Sequence, residues 1–139
     1  MNKNLLIRPF EVDDLEDIEN MKKKYFETNV KLPSRQEMLE VARSSPDNFL
    51  VAEYLGRVVG CIFADPSLGH QISLVVVEEE FRRKGIATKL LGRLEEVLIS
   101  KVISQILTNP YEKIAMEFFE KNGYKKHAIG LMKKYLYRT

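Results

Sequence analysis

Residues 72–98 read ISLVVVEEEFRRKGIATKLLGRLEEVL, and this stretch decides the fold. Its first six residues include three consecutive valines and lack helical spacing, which predicts a central strand buried on both faces. From Ile86 onward, apolar residues recur at steps of three and four, which predicts an amphipathic helix. The residues of that apolar face are Ile86, Leu90, Leu91, Leu94, Val97 and Leu98.

The loop between strand and helix, residues 78–85, predicts an anion site. Three acids and a phenylalanine come first, and the cationic side chains of Arg82, Arg83 and Lys84 then precede Gly85. A helix that begins there presents unpaired N–H groups and the positive end of its dipole, and glycine leaves the backbone open to approach. Phosphate is the natural ligand. Neither GxxxxGK[ST] nor GxGxxG occurs here, which argues against a P-loop nucleotide and a Rossmann dinucleotide.

Composition limits the remaining possibilities. The chain has 139 residues, 45% of them hydrophobic, and we expect residues 1–139 to form a single domain. The charges nearly cancel to a net of +2, so neither a nucleic-acid nor a membrane partner is expected. Without a signal peptide or a membrane-length apolar run, the sequence predicts a soluble, cytoplasmic protein. The single cysteine, Cys61, lies in an apolar run and is expected to be a buried hydrophobe.

The first third of the chain predicts one strand and two helices. Residues 5–9 are a short apolar run that ends in proline, which indicates a strand. Asp13 with Glu16 resembles a capping box and predicts the start of the first helix. Ser34 with Glu37 predicts the start of the second helix in the same way.

A meander of three strands is expected next. Residues 49–54 and 58–64 are rich in β-formers and flank a turn at Gly56, which predicts an antiparallel hairpin. Residues 65–69 then predict a second reversal, into the central strand.

The last third predicts a strand, a helix and a closing hairpin. Residues 102–107 should pair with the central strand, in parallel because a helix connects the two. The pattern at residues 109–112 predicts the start of a helix, and Gly123 its end in a left-handed conformation. Residues 124–129 and 131–137 predict the final hairpin.

Two motifs identify a resemblance to a known family. Residues 77–87 resemble motif A of the GNAT N-acetyltransferases, whose Q/R-x-x-G-x-G/A is met by RRKGIA at residues 82–87. Residues 118–126, FFEKNGYKK, resemble the FYEKxGF signature of that family. The predicted order of elements is also that of the family, so the resemblance covers nearly the whole chain. It implies an α/β (α+β) GNAT fold, a mixed central β-sheet of about seven strands flanked by about four helices.

The resemblance also implies a function. The protein is expected to be an acetyl-coenzyme A-dependent N-acetyltransferase, which transfers an acetyl group to a primary amine of a small molecule or peptide by direct attack on the thioester. Acetyl-coenzyme A is the implied cosubstrate, with its pyrophosphate in the loop and its pantetheine arm along the central strand. Monomer and homodimer both stay open. The implied cofactor-binding residues are Val75, Val76, Val77, Arg82, Arg83, Lys84, Gly85, Ile86, Ala87, Thr88, Glu112, Ala115, Phe118 and Phe119.

Catalytic residues are harder to assign. Glu78 and Glu79 are the carboxylates nearest the end of the central strand and are candidates for the general base. Phe119 occupies the position of the tyrosine that is the usual general acid of the family, so Tyr124 or Tyr111 is the substitute candidate.

The phenylalanine at position 119, in place of the family's tyrosine, keeps an alternative open. This alternative is a non-catalytic acyl-coenzyme A-binding or regulatory module of the same fold. Glu112 also stands where the family often has an asparagine. His70 and His127 lack metal-ligand spacing, and no metal site is predicted.

Overall fold

The computed structural model describes residues 2–28, 30–101, 103, 105–108, 110, 113–127 and 131–136, with the backbone alone for Asn2 and Lys113. Its strands and helices follow the order that the sequence predicts. They are β1 (Leu5–Pro9), α1 (Leu15–Tyr25), α2 (Arg35–Ser44), β2 (Phe49–Tyr54), β3 (Arg57–Asp65), β4 (Gln71–Val77), α3 (Ile86–Ser100), β5 (Gln105–Thr108), α4 (Lys113–Lys121), β6 (Lys125–Lys126) and β7 (Met132–Tyr135).

The strands form one mixed sheet in the order β1-β2-β3-β4-β5-β7-β6. The pairing of β4 with β5 is parallel, and the other pairs are antiparallel. The parallel pair follows from α3, which carries the chain back across the sheet between the two strands. The predicted fold class, a seven-stranded mixed sheet with four helices, is confirmed.

The central strand β4 lies between two hydrophobic cores. Leu74 and Val76 belong to the core that includes the buried residues of α1 and α2, such as Ile18. Ile72 and Val77 belong to the other core, which includes the apolar face of α3. The prediction that this strand is buried on both faces is confirmed.

Most predicted turns and caps are confirmed. The hairpin between β2 and β3 turns through Leu55 and Gly56, both at positive φ, as a type I′ turn requires. Ser34 and Glu37 form the reciprocal capping box of α2. Gly123, just beyond α4, has a φ of +91°. Of the predicted start of this helix at residues 109–112, only Pro110 lies within the described residues.

Strands β3 and β4 approach each other closely at Gly60, which pairs with Val77 at the end of β4. A Cβ atom at this glycine would lie 2.8 Å from the carbonyl oxygen of Val76 and 3.2 Å from a methyl carbon of Val77. The position therefore has no room for a side chain unless the backbone shifts.

The predicted start of α1 is wrong in detail. The acid that orders this turn is Asp14, because a 3₁₀ turn over Val12–Asp14 precedes the helix. The Asp14 carboxylate accepts the Glu11 N–H at 2.8 Å and two hydrogen bonds from the Arg8 guanidinium at 2.8 and 2.9 Å. Arg8 lies in β1, so the ion pair ties the start of the helix to the sheet. Burial opposes ionisation of Asp14, but these hydrogen bonds outweigh it and lower its pKa.

We expect Asp14→Asn to destabilise the protein in a pH-dependent way. The half-buried Arg8 guanidinium would lose one charged partner and keep another, Glu53, at 3.0 Å. The free energy of unfolding at pH 7 should fall by about 2 kcal/mol, between the values for exposed and fully buried pairs. Because the folded-state pKa of Asp14 is lowered, its contribution is present above the unfolded pKa of about 3.9 and is lost as pH falls through the folded pKa.

Urea unfolding at pH 7 and pH 3 measures this effect. The difference between parent and Asp14→Asn should be present at pH 7 and should shrink at pH 3. The exposed neighbour Asp13 provides the matched control, and Asp13→Asn should leave stability nearly unchanged. An equal loss from both variants at pH 7 would contradict the role of the ion pair.

Candidate active site

Strand β4 pairs with β5 near the start of β4. The register pair that joins these two strands among the described residues is Ile72 with Thr108, supported by a hydrogen bond from Thr108 Oγ1 to the Ile72 carbonyl at 3.2 Å. The register between β3 and β4 shifts at Ser73, which leaves that residue unpaired as in a β-bulge. Pro110, two residues beyond the pair, has no N–H to donate. Among the described residues, no register pair joins the second half of β4 to β5.

Val75, Val76 and Val77 are the last three residues of β4. Each pairs with β3 on its other side. Val76 and Val77 are buried, whereas Val75 is half-buried. The β5-facing edge of this segment is the position where an extended ligand could add as a further strand.

The loop after β4 leads directly to the first turn of α3. A 3₁₀ turn spans Glu79–Phe81, and α3 begins at Ile86 after Gly85, whose φ is +80°. Apart from Gly85 itself and its two chain neighbours, no heavy atom of the described residues lies within 4 Å of the position that a Cβ atom of Gly85 would occupy. The predicted transition from strand through loop to helix is confirmed, and the first N–H groups of α3 have no partner within the helix.

Cationic side chains surround this helix start. Arg82, Arg83 and Lys84 are all exposed, and Thr88 lies exposed in the first turn of α3. Arg83 has a φ of +63°, an uncommon conformation for a residue other than glycine. Exposed cations, an open glycine and N–H groups without a partner in the helix are the features that an anion site needs, and the predicted site stays a prediction.

Glu78 is held at the other end of the loop by Tyr25, a residue that belongs to none of the sequence motifs. The Tyr25 hydroxyl donates to Glu78 Oε1 at 2.6 Å, and Lys24 Nζ lies 3.3 Å from the same oxygen. Burial opposes ionisation of Glu78, but the hydrogen bonds from Tyr25 and Lys24 outweigh it and lower its pKa. The second oxygen, Oε2, lies 4.0 Å from an Arg57 nitrogen. Glu78 is therefore an ionised, positioned carboxylate, and Glu79 beside it is exposed.

Tyr25 also contacts the cationic part of the loop. Its hydroxyl accepts the Glu79 N–H at 2.9 Å, and the Arg82 guanidinium lies 4.5 Å from the centre of its ring. Arg82 Nε donates to the Val77 carbonyl at 2.9 Å. No sequence signal could have found these contacts, since Tyr25 and Glu78 are separated by 53 positions.

The predicted residues of α4 lie on the core side of this helix. Phe119 is buried, and its ring centre lies 5.1 Å from that of Phe118 and 5.2 Å from that of Tyr124. Phe118 and Ala115 are half-buried. The predicted contact residue Glu112 and the alternative acid Tyr111 lie outside the described residues.

Tyr124 is placed differently from an exposed general acid. It is 2% exposed, and its hydroxyl donates to Glu95 Oε2 of α3 at 2.9 Å. Burial, the negative charge of Glu95 and this hydrogen bond raise its pKa far above the usual range. Lys134 Nζ pairs with the same carboxylate at 3.1 Å. To protonate a departing thiolate, this hydroxyl would have to leave its partner.

The described part of the chain, His70 included, does not meet the needs of a metal site. The His70 ring nitrogen Nδ1 lies 2.9 Å from Asn48 Nδ2, in a cluster at the start of β4. Within the described part of the chain, no three histidine, cysteine, aspartate or glutamate side chains come together as metal ligands. Within the same residues, no helix is both long and apolar enough to cross a membrane.

Comparisons with known proteins agree with this arrangement. A family model described as an acetyltransferase (GNAT) domain matches residues 45–126. An acetyltransferase from Photorhabdus laumondii subsp. laumondii is 35% identical over 103 residues, which cover 73% of this chain and 71% of that protein.

Solved structures share the fold. The crystal structure of Ard1 from Thermoplasma volcanium has a TM-score of 0.83 and 20% identity, and the match covers 97% of this chain and 99% of that one. Naa50 from Arabidopsis thaliana, in complex with the bisubstrate analogue CoA-Ac-MVNAL, has a TM-score of 0.76 and 16% identity over 94% of this chain and 98% of that one.

The chain belongs to the GNAT acetyltransferase family, since the family model covers more than half of its length. The resemblance drawn from the two sequence motifs is thereby confirmed. The predicted class of enzyme, an acyltransferase with acetyl-coenzyme A as cosubstrate, is confirmed with it.

Proposed function

We propose that this protein transfers the acetyl group of acetyl-coenzyme A to a primary amine by direct attack of the amine on the thioester. The observation that carries the proposal is the continuity of the open edge of β4 with the cationic loop and the start of α3. A pantetheine arm could pair with Val75 and Val77 as an added strand, while the pyrophosphate meets the N–H groups after Gly85. The other proposed contacts are those predicted from the sequence, from Arg82 to Thr88 and along α4.

The chemistry requires a neutral amine. An amine with a pKa of about 10.4 must give up a proton at pH 7, which costs roughly 4.6 kcal/mol. In the proposed reaction a carboxylate, Glu78 or Glu79, takes that proton, and the nitrogen lone pair forms a bond to the carbonyl carbon. The C–S bond then breaks, coenzyme A leaves as its thiolate, and the nitrogen releases its second proton to water as the amide forms. Backbone N–H groups near Val77 are the proposed donors to the thioester oxygen.

Phe119 leaves the departing sulfur without the family's usual acid. A thiol with a pKa of about 8.5 can leave unprotonated at pH 7 at a cost of only about 2 kcal/mol, so acetyl transfer does not require that acid.

The acceptor we propose is a small-molecule or peptide amine. Peptides are the first amines to test, because the Naa50 neighbour is in complex with a peptide-containing bisubstrate analogue. The cytoplasmic location, the single domain and the homodimer stay predictions.

Acetyl-coenzyme A should stabilise the protein. A ligand at 100 times its Kd raises the free energy of unfolding by about 2.7 kcal/mol, and for a chain of this length the melting temperature should rise by about 10 °C. Thermal unfolding with and without ligand measures this shift, and release of thiol with a panel of amines measures turnover. Absence of both at millimolar cosubstrate would contradict the proposal. Binding without thiol release would favour the regulatory module, which the phenylalanine at position 119 keeps open.

Phe119→Tyr should raise turnover when the chemical step is limiting. The new hydroxyl would stand where the family places its general acid, and such groups contribute typically 10²-fold or more, so even a poorly placed one should raise kcat about tenfold. The measurement is kcat at saturating acetyl-coenzyme A, with Kd for coenzyme A expected to be unchanged. Phe26→Tyr, on a half-buried ring outside the proposed site, serves as control. An unchanged kcat would indicate that the thiolate leaves without help.

A further inference from the structure

One side chain of α1 contacts three separate parts of the loop. Tyr25, the last residue of α1, donates to the Glu78 carboxylate, accepts the Glu79 N–H and lies beneath the Arg82 guanidinium. Because α1 packs on one core and α3 on the other, Tyr25 connects the two sides of the sheet at the end of β4.

The contacts leave Arg82 in a defined orientation. Its Nε donates to the Val77 carbonyl, and the Tyr25 ring supports the guanidinium plane through a cation–π contact. Within the described residues, the two terminal nitrogens of Arg82 have no hydrogen-bond partner. An exposed arginine normally samples many rotamers, and ordering it costs free energy when a ligand binds. An arginine that is already ordered binds an anion without that cost.

We propose that Tyr25 is a positioning residue for the cosubstrate, which acts by holding Arg82 ready for a phosphate of acetyl-coenzyme A. The inference rests on the proposed function, since it needs acetyl-coenzyme A in this loop. The hydroxyl contributes separately, because it caps the N–H at the start of the 3₁₀ turn Glu79–Phe81 and so fixes the path of the loop.

The test compares two acetyl donors. S-acetylpantetheine carries the same thioester as acetyl-coenzyme A but no phosphate. In Tyr25→Leu, kcat/KM for acetyl-coenzyme A should fall at least tenfold more than kcat/KM for S-acetylpantetheine, mainly through KM. Any effect that acts through Glu78 should change both kcat/KM values equally, because the two donors present the same reacting atoms. Such an effect therefore cancels in the ratio of the two values. A general loosening of the fold would lower both values alike and would overturn the proposal.

A double-mutant cycle then identifies Arg82 as the intermediary. Arg82→Gln should weaken coenzyme A binding in the parent, but should have little further effect in Tyr25→Leu. Additive losses would overturn the proposal.

Tyr54→Leu is the matched control, because this half-buried tyrosine contacts the same loop through Phe81, with 5.4 Å between ring centres. In Tyr54→Leu, the ratio of kcat/KM for acetyl-coenzyme A to kcat/KM for S-acetylpantetheine should equal that of the parent. An equal fall of this ratio in Tyr54→Leu and Tyr25→Leu would overturn the proposal.

Calorimetric titration with coenzyme A separates this inference from the proposed function. If the parent does not bind coenzyme A, the proposed function fails. If the parent binds it and Tyr25→Leu binds equally well, only the inference about Tyr25 fails. Should Tyr25→Leu not fold, Tyr25→Phe takes its place in the double-mutant cycle. Because this variant keeps the ring, Arg82→Gln should weaken coenzyme A binding as much in Tyr25→Phe as in the parent, and a smaller loss would overturn the role of the ring. The variant also removes the hydroxyl. Its Kd for coenzyme A should rise about threefold, and a Kd equal to that of the parent would overturn the role of the hydroxyl.

Discussion

Gly85→Glu should abolish the rise in melting temperature that acetyl-coenzyme A produces, with Kd raised about 10²-fold or more. The side chain would start in open space beside the helix start, because in the described part of the chain only the adjacent residues lie within 4 Å of its Cβ position. Its carboxylate would occupy the end of the helix that favours anions and would repel the approaching phosphates. The backbone φ of +80° adds a conformational cost of about 1 kcal/mol for any residue with a side chain.

Two control variants separate the charge from the backbone cost. Gly69 also has a positive φ and open space around its Cβ position, but it lies before the start of β4. Gly69→Glu should therefore lose similar stability yet keep the full thermal shift. Gly85→Asn places a small neutral residue that tolerates this conformation, and it should weaken binding less than glutamate does. A normal thermal shift in Gly85→Glu would show that the phosphates bind elsewhere.

Glu78→Gln should lower kcat about 10²-fold at pH 7 if this carboxylate removes the proton of the acceptor amine. Affinity for acetyl-coenzyme A should hardly change, because the amide oxygen can still accept the hydrogen bond from Tyr25. The defect should shrink as pH rises toward the pKa of the amine, since a neutral amine needs no base. The lowered pKa of Glu78 means that the parent loses its base only at acidic pH, as pH falls through that value.

Neighbouring acids provide the matched comparison. Glu79→Gln tests the second candidate base in the same way. Glu80 is exposed and paired with Arg57 at 2.7 Å, and Glu80→Gln should leave kcat unchanged. Initial rates from pH 6 to pH 10 with a lysine-like amine decide between the residues. If all three variants match the parent across this range, the base is another residue or a chain of water molecules.

Local patterns predicted the strand, loop and helix of the site. Three consecutive valines and the spacing of apolar residues from Ile86 reflect burial directly, and Gly85 is needed because its φ is positive. The order of all elements followed from similar signals. These features depend on residues that are close in sequence, which is why the sequence alone reveals them.

Contacts between distant residues could not be predicted. The predicted start of α1 is wrong because the acid that orders this turn, Asp14, is held by a hydrogen bond from Arg8 in β1. In the sequence, Tyr25 is only one residue of a predicted helix. Its hydroxyl and ring contact the loop only in the folded protein. Tyr124 was a plausible acid in the sequence, but its partner Glu95 lies 29 positions away.

Gly60 sets a limit on how this enzyme can be varied by directed evolution. The nearest obstacle to a side chain there is the Val76 carbonyl, so even alanine would push apart β3 and the last residues of β4. The Val77 carbonyl, which anchors Arg82, would move with them. A library of variants should keep codon 60 fixed, because a single methyl group there would displace the backbone that anchors Arg82.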